Sequence, residues 1–206
     1  KRKETFMIKS IWIDNFKSLV DFKLELAKFN CVIGLNGSGK STLLQALDFL
    51  SQLVEGDITG WLDNRQWKVA DLNSKLIKRS NIEFRVELEI DGNRLIWFAS
   101  FNRSLLRCTK EVLTENNETV LQVDDGYYTL DGSREKLVFD YEGSILSTLR
   151  ESLLPESVKA LKNYILGIRS LDLISPELLR NRTRSAGGRL SLGGQNMSAL
   201  IHEQQG

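Results

Sequence analysis

Apolar and polar residues alternate cleanly in several stretches of the chain. Met7 to Ile13 reads as a strand, and Val20-Asp21-Phe22-Lys23-Leu24-Glu25-Leu26 sets apolar residues against charges, so a second strand with one wet face follows. Phe29-Asn30-Cys31-Val32-Ile33 is instead a short apolar run, the pattern of a fully buried strand. From Ser41 to about Val54 the period lengthens to that of a helix. Leu43, Leu47, Leu50 and Val54 form one stripe, Ala46, Phe49 and Leu53 widen it, and Gln45, Asp48, Gln52 and Glu55 line a narrow polar face. Such a helix is mostly buried and belongs against a central sheet. Residues 56–80, which include Trp61 and Trp67, carry no assignable pattern.

At Asn81 the period returns to two. Ile82, Phe84, Val86, Leu88 and Ile90 alternate with Glu83, Arg85, Glu87 and Glu89; Asp91-Gly92-Asn93 turns the chain, and Arg94 to Asn102 comes back. Turn signals at Asn116-Asn117, Asp124-Asp125-Gly126 and Asp131-Gly132 separate further short strands, giving an antiparallel meander with one wet face. A helix follows from about Pro155 to Leu166, then a strand over Ile168 to Ile174, an arginine- and glycine-rich segment, and a short helix starting near Asn196.

The explicit chemistry lies between the apolar run and the first helix. Gly34 to Thr42 reads G-L-N-G-S-G-K-S-T and satisfies the phosphate-loop pattern G-x-x-x-x-G-K-[ST] in full, in strand–loop–helix order. Gly37 and Gly39 allow backbone conformations that a Cβ forbids, so successive N–H groups, that of Ser38 between them included, can turn inward and cradle a β-phosphate at a helix N-terminus. Lys40 reaches the β- and γ-phosphates, the Ser41 hydroxyl holds Mg²⁺, and Thr42 adds a contact near the α-phosphate. The candidate nucleotide ligands are therefore Asn36, Gly37, Ser38, Gly39, Lys40, Ser41 and Thr42, with Ser41 also the candidate metal ligand.

Composition narrows the class without adding chemistry. The 206 residues suit one large domain or a domain and a half, and 28 Lys and Arg against 27 Asp and Glu leave no global field that would recruit nucleic acid. The two cysteines make no disulfide framework, and there is no signal-peptide pattern or long apolar run, so the expected setting is a reducing cytoplasm with no membrane partner.

Ile13-Asp14-Asn15-Phe16-Lys17-Ser18, G-L-N-G-S-G-K-S-T and Leu43-Leu44-Gln45-Ala46-Leu47, followed by a meander, resemble the nucleotide-binding lobe of ABC-type ATPases of the RecF/SMC-like and OLD-like branch. The resemblance is specific over residues 7 to 55 and architectural beyond them. It implies an α/β phosphate-loop NTPase of ABC type, a mixed sheet around the phosphate-loop helix plus an antiparallel β-meander. Residues 1–206 would form the N-terminal lobe of such a head, with a phosphate-loop core over 1–55, the meander over about 81–142 and the remaining elements over 150–206. It also implies ATP and Mg²⁺ as ligands, a homodimer closed through bound nucleotide, Asn36 near the γ-phosphate, and residues 15 to 18 near the nucleotide. A second resemblance covers the other end. Leu173-Ile174-Ser175-Pro176-Glu177-Leu178-Leu179-Arg180, with Gly194-x-Asn196-Met197-Ser198-Ala199-Leu200, looks like a family of bacterial AAA-type ATPases related to RecF, in which this segment precedes the helical lobe and the Walker B motif comes much later.

Two segments compete for the remaining parts of an ATPase site. Arg189 to Leu200, R-L-S-L-G-G-Q-N-M-S-A-L, resembles an L-S-G-G-Q signature interrupted by Leu192, or else is a glycine loop entering a helix capped by Asn196 or Ser198. Leu137-Val138-Phe139-Asp140-Tyr141-Glu142 and Leu121-Gln122-Val123-Asp124-Asp125 are the nearest approaches to Walker B, and both also read as strand ends running into acidic turns. Hydrolysis needs a carboxylate that positions water and a second layer of charge stabilisation. No catalytic residue can be named, so the expectation is an ATP-binding portion of an ATP hydrolase, acting in DNA repair or defence and truncated before its helical lobe. The alternatives are a nucleotide-dependent interaction module without its own catalysis, and a phosphate-loop kinase or GTPase, the latter without an N-K-x-D motif. His202 reads as a helix-surface residue, and Trp61, Trp67 and Trp97 as core or interface.

Arg180, Arg182, Arg184 and Arg189 accompany few acids and could neutralise DNA phosphates; they could equally form a solvated loop or a surface covered by a further lobe. If they bind DNA, replacing all four with alanine lowers the slope of log affinity against log salt by up to about 4. Binding that is absent or insensitive to salt removes the idea.

Overall fold

The computed structural model describes residues 6–124, 126–168 and 202. Eight strands form one antiparallel sheet in the order β2-β1-β3-β4-β5-β6-β7-β8. They are β1 (Phe6–Asp14), β2 (Phe22–Glu25), β3 (Asn81–Ile90), β4 (Asn93–Asn102), β5 (Arg107–Glu115), β6 (Glu118–Asp124), β7 (Tyr127–Leu130) and β8 (Ser133–Lys136). Between residues 6 and 168 three α-helices accompany them, α1 (Lys40–Glu55), α2 (Ile58–Asn64) and α3 (Glu156–Leu166).

The meander forms where the alternation places it. The two-residue turns Asp91-Gly92, Asn116-Asn117 and Asp131-Gly132 all have positive φ at both residues. That geometry matches the right-handed twist of the flanking strands, which is why Asp, Asn and Gly occupy it. In register, Val86 faces Trp97 and Trp97 faces Leu113, so the apolar sides coincide across the sheet. The core lies on that side, and α1 covers it. Phe49 from α1 sits 5.6 Å from the Phe16 ring, 5.7 Å from Phe84 and 5.1 Å, edge-on, from Phe101.

Residues 56–80, without a readable pattern, are ordered by local stop and start signals. Gly56, at φ 82, ends α1 and donates to the Gln52 carbonyl, and the Asp57 side chain caps α2 by accepting from the Gly60 N–H at 2.9 Å. α2 then lays Trp61 against Phe49 at 5.2 Å. This buries Asp48, which the helical wheel assigns to the polar face; its carboxylate accepts from Trp61 Nε1 and Arg65 Nη2, both at 2.7 Å.

Phe29 to Ile33 departs from expectation. The run forms no strand, and Phe29, Ile33 and Leu35 are 85%, 88% and 85% exposed. The reason is the lack of neighbours: among the described residues no strand pairs with this segment, so its apolar side chains have nothing to pack against. Ile168, where the sequence predicts the start of a strand to Ile174, is irregular and its N–H donates to the Ile165 carbonyl at 3.0 Å; the rest of that strand, the arginine-rich segment and the helix near Asn196 lie outside the described residues, apart from His202, which is helical and exposed.

The connector after β8 is locked to both layers. Gly143, at φ 68, lies so close to α1 that a Cβ would collide with the Leu53 carbonyl, and Ser144 N–H donates to that same carbonyl at 2.6 Å. Glu111 of β5, fully buried, accepts from Ser144 Oγ at 2.5 Å, Ile145 N–H at 2.7 Å and Trp97 Nε1 at 3.2 Å. Burial nevertheless outweighs these donors and raises the Glu111 carboxyl to about 7, against an ordinary 4.5.

A folded-state value above the unfolded one means that Glu111 contributes most below pH 4.5 and loses that contribution as pH rises through about 7. Relative to Glu111→Gln, the wild type therefore loses about 3 kcal/mol of stability between pH 4.5 and pH 8, at roughly 1.4 kcal/mol per pH unit. Denaturant titrations of both proteins across that range check it; a constant difference would contradict the burial argument.

Candidate functional site

Two loops meet at the N-terminal end of α1. The first leaves β1 at Asp14, whose buried carboxylate pairs with Arg79 and accepts the Asp21 N–H at 2.9 Å. Asn15 and Lys17 both take left-handed backbone conformations, with φ of 63 and 49. Such conformations cost of order 1 kcal/mol each and persist where the surroundings over-determine them. Here the surroundings do so. Asn15 Nδ2 donates to the Arg79 and Asn81 carbonyls at 2.9 and 2.8 Å, its Oδ1 accepts from Ser74 N–H at 3.1 Å, and Lys17 N–H donates to the Leu72 carbonyl at 2.8 Å. Asn15 is thus a buried stitch between β1 and residues 73–81, and Phe16 belongs to the core.

Besides Phe16, whose ring stacks on Phe49, Ser18 and Lys17 of this turn reach α1. Ser18 Oγ donates to Thr42 Oγ1 at 3.2 Å, and a Cβ on Gly39 would stand 3.3 Å from Ser18 Oγ. Lys17 Nζ donates to Gln45 Oε1 at 2.9 Å, one turn further along, and lies 3.1 Å from the centroid of the Trp67 ring. Burial, reinforced by the nearby Arg65 charge and opposed by Asp71, lowers the Lys17 ammonium from 10.5 to about 8.

The second loop is Gly34 to Gly39. Gly37 and Gly39 have φ of 82 and 89, the region in which a side chain would be strained. Gly39 also occupies the N-cap of α1, where no side chain makes a capping bond, and the first turn of a helix has no intrahelical acceptors for its N–H groups. Residues 34–38, Asn36 and Ser38 among them, and Ser41 are exposed, and Thr42 is half-buried. Lys40 bends back over the loop, donating to the Gly34 and Leu35 carbonyls at 2.8 and 2.7 Å, with Ser38 Oγ 3.5 Å from its ammonium.

Ser38 differs from the other candidate ligands in where its polar groups go. Its N–H, expected to point into the cradle, donates instead to the Leu35 carbonyl at 3.2 Å, closing a tight turn inside the loop. Its hydroxyl packs over Gly34, where a Cβ would stand 2.7 Å from Ser38 Oγ. The physical reason is local: Leu35 to Ser38 form a tight turn, which brings the Leu35 carbonyl to the Ser38 amide three residues on. The loop otherwise brings backbone N–H groups, the Lys40 ammonium and the Ser41 and Thr42 hydroxyls together at the start of α1, the donor set of an anion site with a hard-cation ligand in Ser41.

Neither Walker B candidate complements it. Residues 137–142 are irregular; Asp140 is exposed, and Glu142 commits both oxygens to Thr59, accepting from its N–H at 3.0 Å and its Oγ1 at 2.6 Å. Asp124 is an exposed end of β6 that faces Lys110 at 3.8 Å. Among the described residues no group of three or more His, Cys, Asp and Glu side chains converges, and no helix is long and apolar enough to cross a membrane. Arg180, Arg182, Arg184, Arg189 and the R-L-S-L-G-G-Q segment lie outside the described residues. The pairing of Lys17 with Trp67, and of both with Arg65, escapes sequence reasoning; the Gly56-Asp57 stop and start is the available signal that a helix carries these side chains back to α1.

Residues 7–162 match the AAA ATPase domain family. Over 63 residues the chain is 36% identical to an OLD nuclease from Thermus scotoductus (strain ATCC 700910 / SA-01), a match that covers 31% of this chain and 11% of that protein. Over an equal length it is 36% identical to the phosphonates import ATP-binding protein PhnC from Staphylococcus saprophyticus, covering 31% and 24%. The chain therefore spans a quarter or less of the curated relatives it matches. Among solved structures, the recombination mediator RecF with ATPrS aligns at 24% identity and a TM-score of 0.39 over 55% of this chain and 28% of that one. A structure from work on ATP-driven dimerization and DNA-stimulated activation of SMC ATPases aligns at 16% identity and 0.40 over 96% and 98%.

Gly39→Ala forces a side chain into both the left-handed region and the Ser18 contact, at a cost of about 1 to 3 kcal/mol. Hydrogen exchange at the Leu43 amide, which donates to the Gly39 carbonyl at 3.0 Å, should accelerate by at least about fivefold while β3 and β4 stay protected. Unchanged exchange would mean that the loop conformation does not depend on glycine.

Proposed function

The chain belongs to the AAA ATPase domain family, and on that premise we propose that residues 36 to 42 hold the triphosphate of ATP with Mg²⁺ in a head that completes its site only with further residues or a second chain. That the domain is an ATP-binding one follows from the family; the assignment of atoms is our reading. The observation that carries it is the joint geometry of Gly37, Gly39 and Lys40: two left-handed glycines open the N-terminus of α1, and the lysine ammonium rests on two carbonyls of the same loop. Carbonyl oxygens are weaker partners for an ammonium than phosphate oxygens, so a bound triphosphate would displace them. Backbone N–H groups of residues 37 to 42 would then take the β-phosphate, that of Ser38 by leaving the Leu35 carbonyl. Lys40 would bridge β and γ, Thr42 would lie near the α-phosphate, and Asn36 would lie toward the γ-phosphate. The Ser41 hydroxyl, exposed at the first turn, is the residue that fits Mg²⁺, which would neutralise phosphate charge there.

The described residues supply binding and orientation, whereas of the two Walker B candidates Glu142 is committed to Thr59 and Asp124 faces Lys110. The bare apolar run before the loop supports the same division, because Phe29, Ile33 and Leu35 present a surface that another element would cover. We read the working unit as a homodimer closed through nucleotide, in a cytoplasmic setting, with DNA as its client through the arginine-rich segment. A nucleotide-dependent interaction module is the second reading, favoured by the same commitment of Glu142 to Thr59.

Equilibrium dialysis should show binding of Mg-ATP that Lys40→Ala weakens by about a hundredfold or more, with turnover by the 206-residue chain below about 0.01 per second. Rapid hydrolysis abolished by Lys40→Ala would place the missing carboxylate within this chain; undiminished binding by the variant would remove the phosphate-loop assignment.

A further inference from the structure

The two ends of the meander carry opposite charge around apolar side chains. At the end where β3 begins and β4 finishes, Asn81 and Asn102 are register partners, and two loops lie beyond them. The first, residues 74–80, is tied at its base: Asn73 Nδ2 donates to the Ser80 carbonyl at 3.1 Å and Asn15 Nδ2 to the Arg79 carbonyl at 2.9 Å. The second, residues 103–106, joins β4 to β5. Together they hold Lys75, Lys78, Arg79 and Arg103 and no acid. Arg79 is taken by Asp14, whereas Lys75, Lys78 and Arg103 have no ion-pair partner among the described residues. In the same two loops Leu76 and Leu105 are 73% and 54% exposed. The opposite end, where Asp91-Gly92 turns β3 into β4, has the converse chemistry. There α3 and the strand ends flank a groove of about 810 Å³, with Ile90, Leu95 and Ala160 in its apolar lining. Its rim holds the carboxylates of Asp91, Glu115 and Glu156 against one ammonium, that of Lys159, which pairs with Glu156 at 2.6 Å. Glu115 stands opposite Leu95 in register, so it shares the groove side of the sheet.

We propose that the basic loops of one copy of this chain dock in the acidic groove of a second copy, head to tail, with Lys75, Lys78 and Arg103 against the rim carboxylates and Leu76 in the apolar part. Charge complementarity selects the partner, since the loops offer three cations without an acid and the groove three carboxylates against one ammonium. The contact has to be made in trans. β3 runs from Asn81 to Ile90, and at about 3.3 Å per residue it separates the two patches by about 30 Å, beyond the reach of a loop tied at its own base. Because the patches differ, the interface is heterologous: each added copy brings one further groove and one further loop pair, so assembly continues into a ring or a filament instead of stopping at a symmetric dimer. A nucleic-acid partner would use the cations but set two exposed leucines against phosphate, and it would leave the groove without a role. The contact stands apart from the phosphate-loop reading, since neither patch includes residues 34–42. Exposed charges on both sides make it sensitive to salt.

Sedimentation velocity of the nucleotide-free 206-residue chain tests it. At about 50 mM salt the weight-average mass should rise above 23.4 kDa as protein is raised to about 300 μM, and should fall back at about 500 mM salt, where the Debye length is only about 4 Å. Lys75→Glu with Lys78→Glu, and Glu115→Lys with Glu156→Gln, should each lower the association constant by at least about tenfold. Mixing these two variants in equal amounts should restore association, because the mixture again pairs a basic loop with an acidic groove. Thermal melts establish that both variants are folded. Leu76→Ser, at an exposed position, should weaken association by about threefold or more while leaving its salt dependence unchanged. A chain that stays at 23.4 kDa throughout, or a mixture of folded variants that does not associate, overturns the proposal. So does association that persists at high salt and in both variants, which would belong to the bare run over residues 29–35. Salt-sensitive binding of a DNA oligonucleotide by a monomeric wild type, lost in the lysine variant, would assign the loops to nucleic acid and overturn it as well.

Discussion

The Phe49 ring is held by four others: Phe16 from the turn after β1, Phe84 from β3, Phe101 from β4 and Trp61 from α2. Everything at the phosphate loop depends on that cluster, because α1 carries the loop at one end and takes its orientation from the sheet behind it. The loop itself has few contacts and is open to water, while the helix is fixed to the sheet by buried aromatic area. A rigid helix under an adaptable glycine loop is a sound arrangement for an anion site: the dipole and the N–H groups of the first turn are aimed in advance, and only the loop and its lysine have to move. The opposite end of α1 is equally constrained, since the Leu53 carbonyl receives Ser144 and abuts Gly143.

What can be read from the sequence is what depends on neighbours in the chain. Alternation from Ile82 to Ile90, the Asp-Gly and Asn-Asn turns and the stripe of Leu43, Leu50 and Val54 are local properties, and the structure realises them. The phosphate loop is legible because its glycines and lysine are spaced by chemistry, although the spacing does not reveal that the Ser38 amide turns to Leu35. Phe29 to Ile33 misleads because an apolar run states that burial is favourable without stating what will do the burying. Asp48 misleads because its partners, Trp61 and Arg65, arrive from α2 and its C-terminal cap, a segment that shows no period. The Lys17–Trp67 contact is invisible for the same reason: it joins two segments that only the packing of α2 brings together.

Polar groups in this structure divide into those that are spent and those held in reserve. Asn15, Asp14, Glu111 and Glu142 are spent, each bonded to backbone or hydroxyl partners that fix one segment against another. Lys17 and Lys40 rest on weak acceptors within reach of the open loop. The acids are structural and the bases at the loop are available, so the described residues are electrostatically biased toward receiving an anion and contribute little to activating a nucleophile.

The edges of the sheet differ sharply from the segment that precedes the loop. β8 reads Ser-Arg-Glu-Lys and is exposed throughout, and β2 carries Lys23 and Glu25 on its wet face, so strand addition at either border would have to accommodate charges. Residues 29–35 carry no charge and no proline among their exposed apolar side chains, the composition that favours intermolecular β-pairing. Among the described residues, intermolecular association is therefore favoured by that short run more than by the large sheet, and whatever shields the run acts at once as a solubility device and as the neighbour of the glycine loop.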